Sequence, residues 1–342
     1  MDKQKTIGII GFGRFGSLAA SILSKQATVF IYQEKITLEI KKRVKKINAH
    51  LASLEELANC DYVIIAVPIS KTELMIKKLA PIVKPGTLVM DACSVKTYPC
   101  QWLKKYLPKN IETMGTHPMF GPVTTKFDFN AQTWVLADKQ IVLCPLRISE
   151  KKLQEIKKFL ESLGLEVIIT TPTDHDKQNA KTLGLVHFLG RALVKAKIKE
   201  QKIFTPGYTD LLKIIPHTAS DNWQLFFDMH NYNPFALDIR RKFISACKDL
   251  EEKIIKSQSS NEFDYNRKMI NKIDKEIFAL VAQRLKHTRT IGKIKKKKGL
   301  PILDKKREKE IIENKIKSTK LNPAFIKNLY QVILKESYKT QK

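Results

Sequence analysis

Three groups of residues have types and spacings suited to chemistry. The first is Gly115-Thr116-His117-Pro118-Met119-Phe120-Gly121-Pro122. Pro fixes φ and lacks an N–H, and Gly tolerates positive φ, so this run predicts a shaped loop rather than the interior of a helix or strand. An imidazole titrates near neutrality, so His117 is a candidate general base, with a hydrogen-bonded structural His as the alternative. The second group is Gly11-Phe12-Gly13-Arg14-Phe15-Gly16. This G-x-G-x-x-G spacing suits a backbone that must approach a pyrophosphate closely. The third is a pair of cations, Arg284 and Lys295, on an otherwise apolar helical stripe. Unpaired cations in such a seam are costly, so they call for carboxylate partners, snorkelling or an anionic ligand.

The flanking elements give the glycine run its meaning. Thr6–Ile10 reads as a buried strand before it, and 17–24 reads as a helix after it, the setting of a dinucleotide site. Gly11 then makes the turn, Gly13 admits the pyrophosphate at the helix N-terminus, and Gly16 lets helix and strand pack closely. Phe12, Arg14 and Phe15 complete the cofactor loop. The next strand, Thr28–Tyr32, ends in Gln33-Glu34-Lys35. Glu34 there would hold a ribose 2′-hydroxyl and favours NAD, whereas Gln33 with Lys35 would tolerate the 2′-phosphate of NADP. A third strand over 61–67 ends at Pro68, and the C-terminal ends of such strands bind ligand. A fourth over 87–91 delivers Ser94 and Lys96. Ser94 can bond a substrate oxygen, the His117 ring or its own turn. Lys96 is a substrate contact or a solvated charge. The pattern predicts an α/β, doubly wound Rossmann-type sheet.

With 342 residues the chain is long enough for two or three domains. The net charge of +28 invites a nucleic-acid partner, but Lys is spread along the whole chain with no aromatic interleaving. Anionic small molecules fit that charge better, and no nucleic-acid partner is expected. The five Cys form no C-x-x-C or paired framework, which points to a reducing cytosol and to no metal site. No apolar run approaches the roughly 20 residues that span a bilayer, so no membrane partner is expected.

The glycine loop, the Val67-Pro68 strand end, Asp91-Ala92-Cys93-Ser94-Val95-Lys96 and the His117 run, in this order, resemble the prephenate/arogenate dehydrogenases. The resemblance covers roughly residues 5 to 255. It implies oxidative decarboxylation of prephenate to 4-hydroxyphenylpyruvate, with hydride passing to NAD. The family's catalytic His falls on His117 and its Ser on Ser94, bonded to that His and to substrate. An all-helical region from about 178 to 257 would serve dimerisation, with His175 and His187 matching family histidines and His187 near substrate. The chain departs from the family at Val123-Thr124-Thr125, where an acidic residue followed by Ser-Gly is usual. It departs again at Lys213 and His217, near where the family uses Arg to grip a carboxylate. A Lys offers a point charge, not a bidentate fork.

Lys256-Ser257-Gln258-Ser259-Ser260-Asn261 reads as a linker. Beyond it, Ile270, Ile273, Ile277, Leu280, Val281, Ile291 and Ile294 recur at spacings of three and four, predicting one helix from 261 to about 298. At 1.5 Å per residue it spans about 55 Å, too long for a globule of its size, so its stripe must meet another chain. Gly299-Leu300-Pro301 stops it, Asp304 can cap a second helix, and Asn322-Pro323 starts a third carrying Ser337 and Gln341. This three-helix residue set resembles the all-helical chorismate mutases. The resemblance implies an interlocked homodimer, with Arg267 reaching into the partner's site. Arg267 and Arg284 would bind carboxylates, Lys295 and Gln341 the ether oxygen, Glu308 and Asp304 the hydroxyl, with Arg307 and Ser337 completing the substrate contacts. The expected organisation is a nucleotide-binding domain over 1–148, a helical dimerisation and substrate domain over 149–257, and a mutase over 261–342. The expected function is a bifunctional, cytoplasmic tyrosine-biosynthesis enzyme acting on chorismate and prephenate. An arogenate dehydrogenase fused to the mutase, or a mutase with an impaired dehydrogenase half, are the alternatives.

Overall fold

The computed structural model describes residues 5–130, 132–219 and 221–341, with side chains other than those of 217, 219 and 305. Contacts divide the chain into two units, Met1–Ile244 and Ser245–Lys342.

The first unit opens with β1 (Thr6–Ile10), α1 (Arg14–Leu23), β2 (Thr28–Tyr32), α2 (Leu38–Lys46), β3 (His50–Leu51) and α3 (Leu54–Leu57). It continues with β4 (Tyr62–Ile65), α4 (Ile69–Leu79), β5 (Leu88–Asp91), α5 (Thr97–Tyr106) and β6 (Glu112–Pro118). A hairpin, β7 (Lys126–Asp128) with β8 (Thr133–Val135), precedes β9 (Lys139–Arg147), α6 (Glu150–Ser162) and β10 (Leu165–Ile169). The main sheet has the order β10-β9-β6-β5-β4-β1-β2-β3. Strands β1 to β6 run parallel, β9 joins β6 antiparallel, and β10 lies parallel to β9. Successive residues of β1 feed opposite faces: Ile7 and Ile9 join one apolar cluster, Ile10 the other. A sheet buried on both faces selects such unbroken apolar strands. The sheet takes in β10, beyond residue 148, where the sequence reading ended the nucleotide-binding domain.

One expectation is corrected here. His117 is not on a loop but near the end of β6, opposite Val142 of β9. The Gly and Pro residues suggested punctuation, yet Gly115 is where β6 packs too tightly for a side chain. A Cβ on it would stand 2.4 Å from the Cys100 sulfur. Irregular chain begins only after Pro118.

Helices follow: α7 (Pro172–Asn179), a π-helical turn (Ala180–Gly184), α8 (Leu185–Lys195), α9 (Pro206–Leu212), α10 (Ile214–Ala219), α11 (Trp223–Asn231) and α12 (Ala236–Ser257). The division between the units falls within α12. The second unit holds α13 (Glu262–Lys297), α14 (Lys305–Ser318) and α15 (Pro323–Lys339). Their starts follow local chemistry: Asn261, Asp304 and Asn322 each accept backbone N–H groups of the first turn. Ile270, Ile273, Ile277, Leu280, Ile291 and Ile294 on α13 are each 47–63% exposed, so the stripe is not covered within the chain. Gln341 lies two residues past the end of α15, not on the helix as expected. No helix among the described residues is long and apolar enough to cross a membrane.

Candidate active sites

The glycine run connects β1 to α1 as its spacing requires. Gly11 has φ +102, and a Cβ on Gly16 would stand 2.0 Å from the Gly11 carbonyl oxygen, so both positions demand glycine. Gly13 faces open space, with nothing within 4 Å of a Cβ built on it. It also begins α1 without a side-chain cap, leaving N–H groups directed at that space. Phe12 N donates to Gln33 Oε1 at 2.8 Å, which ties the loop to the end of β2 and occupies the Gln33 side chain. A cavity of about 180 Å³ runs from Gly11 and Gly13 past Gln33 and Glu34 to Pro68 and Lys71. A larger cleft of about 500 Å³ shares Gly13, Val67 and Pro68 with it and continues past Arg14 and Phe15 to Ser94, His117 and His187. These two spaces and this loop fit an extended dinucleotide. Glu34 lines the smaller of the two and faces Lys78 at 3.4 Å.

His117 lines the larger cleft and is 6% exposed. Its Nδ1 lies 2.8 Å from His175 Nε2, and His175 Nδ1 lies 2.8 Å from Asp176 Oδ1. Asp176 is fixed by two further donors, Lys96 N and Thr97 N, each at 2.8 Å. Burial raises the Asp176 carboxyl, but its bonds from His175, Thr97 and Lys96 outweigh that and hold it below its ordinary 3.8. An ionised Asp176 only accepts, so His175 carries its proton on Nδ1 and presents a bare Nε2. His117 must then donate from Nδ1, which leaves the lone pair on its Nε2. Burial pushes the His117 imidazole well below its ordinary 6.5, with His175 and Lys96 acting in the same direction. The result is an oriented imidazole, neutral at physiological pH and able to accept one proton.

Several site expectations are revised. Ser94 lines the cleft, but its buried hydroxyl has no hydrogen-bond partner; His175 takes the role expected of Ser94 at His117. The Ser94 carbonyl is held instead, by Asn179 Nδ2 at 2.5 Å. Lys96 is neither solvated nor in the cleft. Its side chain is 0% exposed, its ammonium pairs with Asp91, and it donates to the Thr116 carbonyl at 2.6 Å. Burial opposes that charge, yet the Asp91 carboxylate prevails and holds the ammonium above its usual range. Lys213 is exposed and pairs with Asp210 at 2.7 Å, outside the cleft. The side chain of His217 lies outside the described residues. His187 is in the cleft, with Nε2 3.9 Å from Asp221 Oδ2. Asp221 also receives Arg14 at 2.9 Å, across from the glycine loop. Burial lowers the His187 imidazole, Asp221 opposes the shift, and Arg191 adds to it.

In the second unit Arg284 and Glu308 both meet α15, and Lys295 meets the loop that follows α13. Arg284 donates to the Ser337 hydroxyl, Tyr338 donates to Glu308 Oε1, and Lys295 donates to the Ile302 carbonyl at 2.8 Å. A Cβ on Gly292 would stand 2.9 Å from Gln341 Cα, so α13 meets the end of the chain closely there. Gln341 Oε1 is buried without a partner. Among the described residues no carboxylate pairs with Arg284 or Lys295. Asp304 Oδ1 accepts from Arg307 N at 3.0 Å as the cap of α14. Arg267 stands over the Phe263 ring at 5.6 Å, about 25 Å along α13 from Arg284.

Residues 20–169 match the family model "Prephenate dehydrogenase, nucleotide-binding domain", and residues 266–342 match "Chorismate mutase type II". The chain joins a domain of the prephenate dehydrogenase family to a type II chorismate mutase domain. Residues 192–266 also match a model described as "TYRAAT1-like, C-terminal domain". A probable arogenate/prephenate dehydrogenase of Methanocaldococcus jannaschii is 31% identical over 264 residues, 70% of this chain and 56% of that protein. Arogenate dehydrogenase 1 of Arabidopsis thaliana is 28% identical over 266 residues, 75% of this chain and 40% of that protein. The matches thus span about half the length of these two relatives. The crystal structure of prephenate dehydrogenase from A. aeolicus, in complex with hydroxyphenyl propionate and NAD+, superposes with a TM-score of 0.59 at 21% identity. It covers 80% of this chain and 98% of that one, and at this identity the likeness is one of fold.

Within the dehydrogenase half, sequence reasoning gave no role to Asp176, Asp221 or Asp228. Asp228 is buried and accepts from Ser70 N at 3.1 Å and Ser70 Oγ at 2.9 Å, linking α11 to the start of α4. A local signal existed only for Asp176, which follows His175 directly. In the mutase domain the unread residue is Tyr338, on α15 beside Ser337.

Proposed function

We propose that the chain is a bifunctional tyrosine-pathway enzyme. Its C-terminal unit converts chorismate to prephenate, and its N-terminal unit oxidatively decarboxylates prephenate to 4-hydroxyphenylpyruvate with NAD. The observation that carries the dehydrogenase reading is the Asp176–His175–His117 chain, which presents a bare imidazole nitrogen to the cleft beside the glycine loop. Gly11, Gly13 and the N–H groups opening α1 hold the pyrophosphate, Gly16 lets the loop close over it, and Glu34 holds the adenosine ribose. Glu34 at the end of β2, with Gln33 already engaged by the loop, favours NAD over NADP. The bound nicotinamide supplies the acceptor for the hydride leaving the substrate ring. His117 Nε2 takes the ring hydroxyl's proton as that hydride leaves, and Asp176 steadies the resulting imidazolium through His175. Loss of CO2 makes the ring aromatic and drives the step.

In the mutase no proton moves. The rearrangement is pericyclic, so the protein holds a folded dianion and stabilises charge building on the ether oxygen. Arg284 binds a carboxylate, Lys295 and Gln341 serve the ether oxygen, and Glu308 takes the hydroxyl. Arg267 is too far along α13 to share a pocket with Arg284 of its own chain. Together with the uncovered apolar stripe, this favours a homodimer in which each chain lends Arg267 to its partner.

Chorismate plus NAD should yield NADH with no added prephenate. Arg284→Ala should abolish chorismate turnover and spare NADH formation from prephenate, and His117→Asn should do the reverse. If either single change removes both activities from folded protein, the two-site account fails.

Asp221 favours a second reading. Arogenate carries an ammonium where prephenate carries a ketone, and Asp221 places a carboxylate in the cleft beside His187. If arogenate is the substrate, Asp221→Asn should lower kcat/KM for arogenate at least tenfold and leave that for prephenate little changed. Equal effects on both substrates reject this reading.

A further inference from the structure

Glu308 is held by a side chain to which the mutase account gives no part. The Tyr338 hydroxyl donates to Glu308 Oε1, while the preceding residue, Ser337, receives Arg284. Neighbouring positions on a helix point about 100° apart, so residues 337 and 338 of α15 reach different helices. Ser337 reaches a cation of α13, and Tyr338 reaches an anion of α14. Both side chains are drawn in: Ser337 is buried, and Tyr338 and Glu308 are half-buried.

We propose that Tyr338 is a positioning residue for the mutase reaction, holding Glu308 by one carboxylate oxygen so that the other is aimed at the substrate hydroxyl. The proposal rests on the mutase reading above. A free Glu side chain loses rotamer entropy when it is fixed. A phenol on a packed helix fixes it before substrate arrives, which strengthens binding by preorganisation. The carboxylate has acceptor sites enough for both partners, so Tyr338 does not compete with the substrate hydroxyl.

Chorismate turnover by the full chain tests this. Tyr338→Phe keeps the ring and its packing and removes only the donor. Because Glu308 bonds the hydroxyl in ground and transition states alike, the variant should raise KM for chorismate about tenfold, with kcat within twofold. In a Glu308→Gln background the same substitution should add no more than a further twofold, since the group it orients is gone. The proposal is overturned if Tyr338→Phe leaves KM within twofold. It is also overturned if it costs the same factor in both backgrounds, or if it lowers only kcat together with the melting temperature, as a purely structural role would. A wild-type chain that does not consume chorismate removes the mutase reading itself. Unaltered KM in Tyr338→Phe, with KM raised in Glu308→Gln, removes only the role of Tyr338.

Discussion

Replacing Lys96 with Met separates a buried structural charge from a substrate contact. Lys96 and Asp91 are both 0% exposed at their side chains and form an ion pair beneath the strand end that carries His117. Met matches the length of the Lys stem but leaves Asp91 without its counter-charge. Asp91 would keep only the backbone N–H of Cys93, at 3.0 Å on Oδ2, and its Oδ1 already has no partner. Removing one member of such a pair costs about 3–5 kcal/mol, because a charge stays behind in a dry site. The Thr116 carbonyl also loses its donor. Set against the ~5–15 kcal/mol of a typical domain, the loss should shift the urea midpoint of the first unit sharply. Removing the remaining charge with Asp91→Asn in the same chain should recover a large part of it. Urea titrations of wild type, Lys96→Met and the double variant, followed by Trp fluorescence, measure both. A loss under about 1 kcal/mol, or a double variant no better than the single, refutes the reasoning. Unchanged stability with a raised KM for prephenate would return Lys96 to the cleft.

The second and third glycines of the nucleotide loop should fail differently. Gly16→Ala drives a Cβ into the Gly11 carbonyl and should depress folding, read as lost soluble yield or a lower melting temperature. Gly13→Ala meets open space, so the melting temperature should hold while KM for NAD rises about tenfold. Burial first, then His175 and Lys96, hold the His117 imidazole well below 6.5, so kcat/KM for dehydrogenation should stay flat from pH 8 through 6.5 and fall only in stronger acid. A limb centred at 6.5 would count against His117 as the base. Stability follows the same sign. His117, His187 and His230 all titrate low in the folded state, His230 at about 4 through burial, Arg240 and His187. The unfolded chain therefore takes up protons first, and stability is full above about pH 6.5 and declines toward pH 4 in urea titrations.

Much of this molecule is legible locally. The β1–glycine loop–α1 unit, and helices opened by Asn261, Asp304 and Asn322, depend on residues within one turn of each other. The nucleotide site was readable for that reason. His117 was misread as a loop residue because Gly and Pro are local signals, whereas its strand identity comes from β9, about 25 residues later. Lys96 was misread because lysine ordinarily stays solvated, and only the fold buries Asp91 against it. The His117–His175 bond joins residues 58 apart, and no pattern in either segment points to the other. Tyr338 and Glu308, 30 apart, meet only because α14 and α15 pack side by side.

The π-helical turn over Ala180–Gly184 sits between His175 and His187 on what is otherwise one continuous rod. Twelve steps of about 100° would leave those two imidazoles roughly 120° out of phase. A single surplus residue in the wide turn takes back close to one step of that rotation, which swings both rings toward the same side. Excising Lys181 would leave eleven regular steps, again only about 20° from alignment, so His187 should stay on the cleft side. The angular relation between the two histidines is therefore encoded not by either of them but by how the backbone between them is wound.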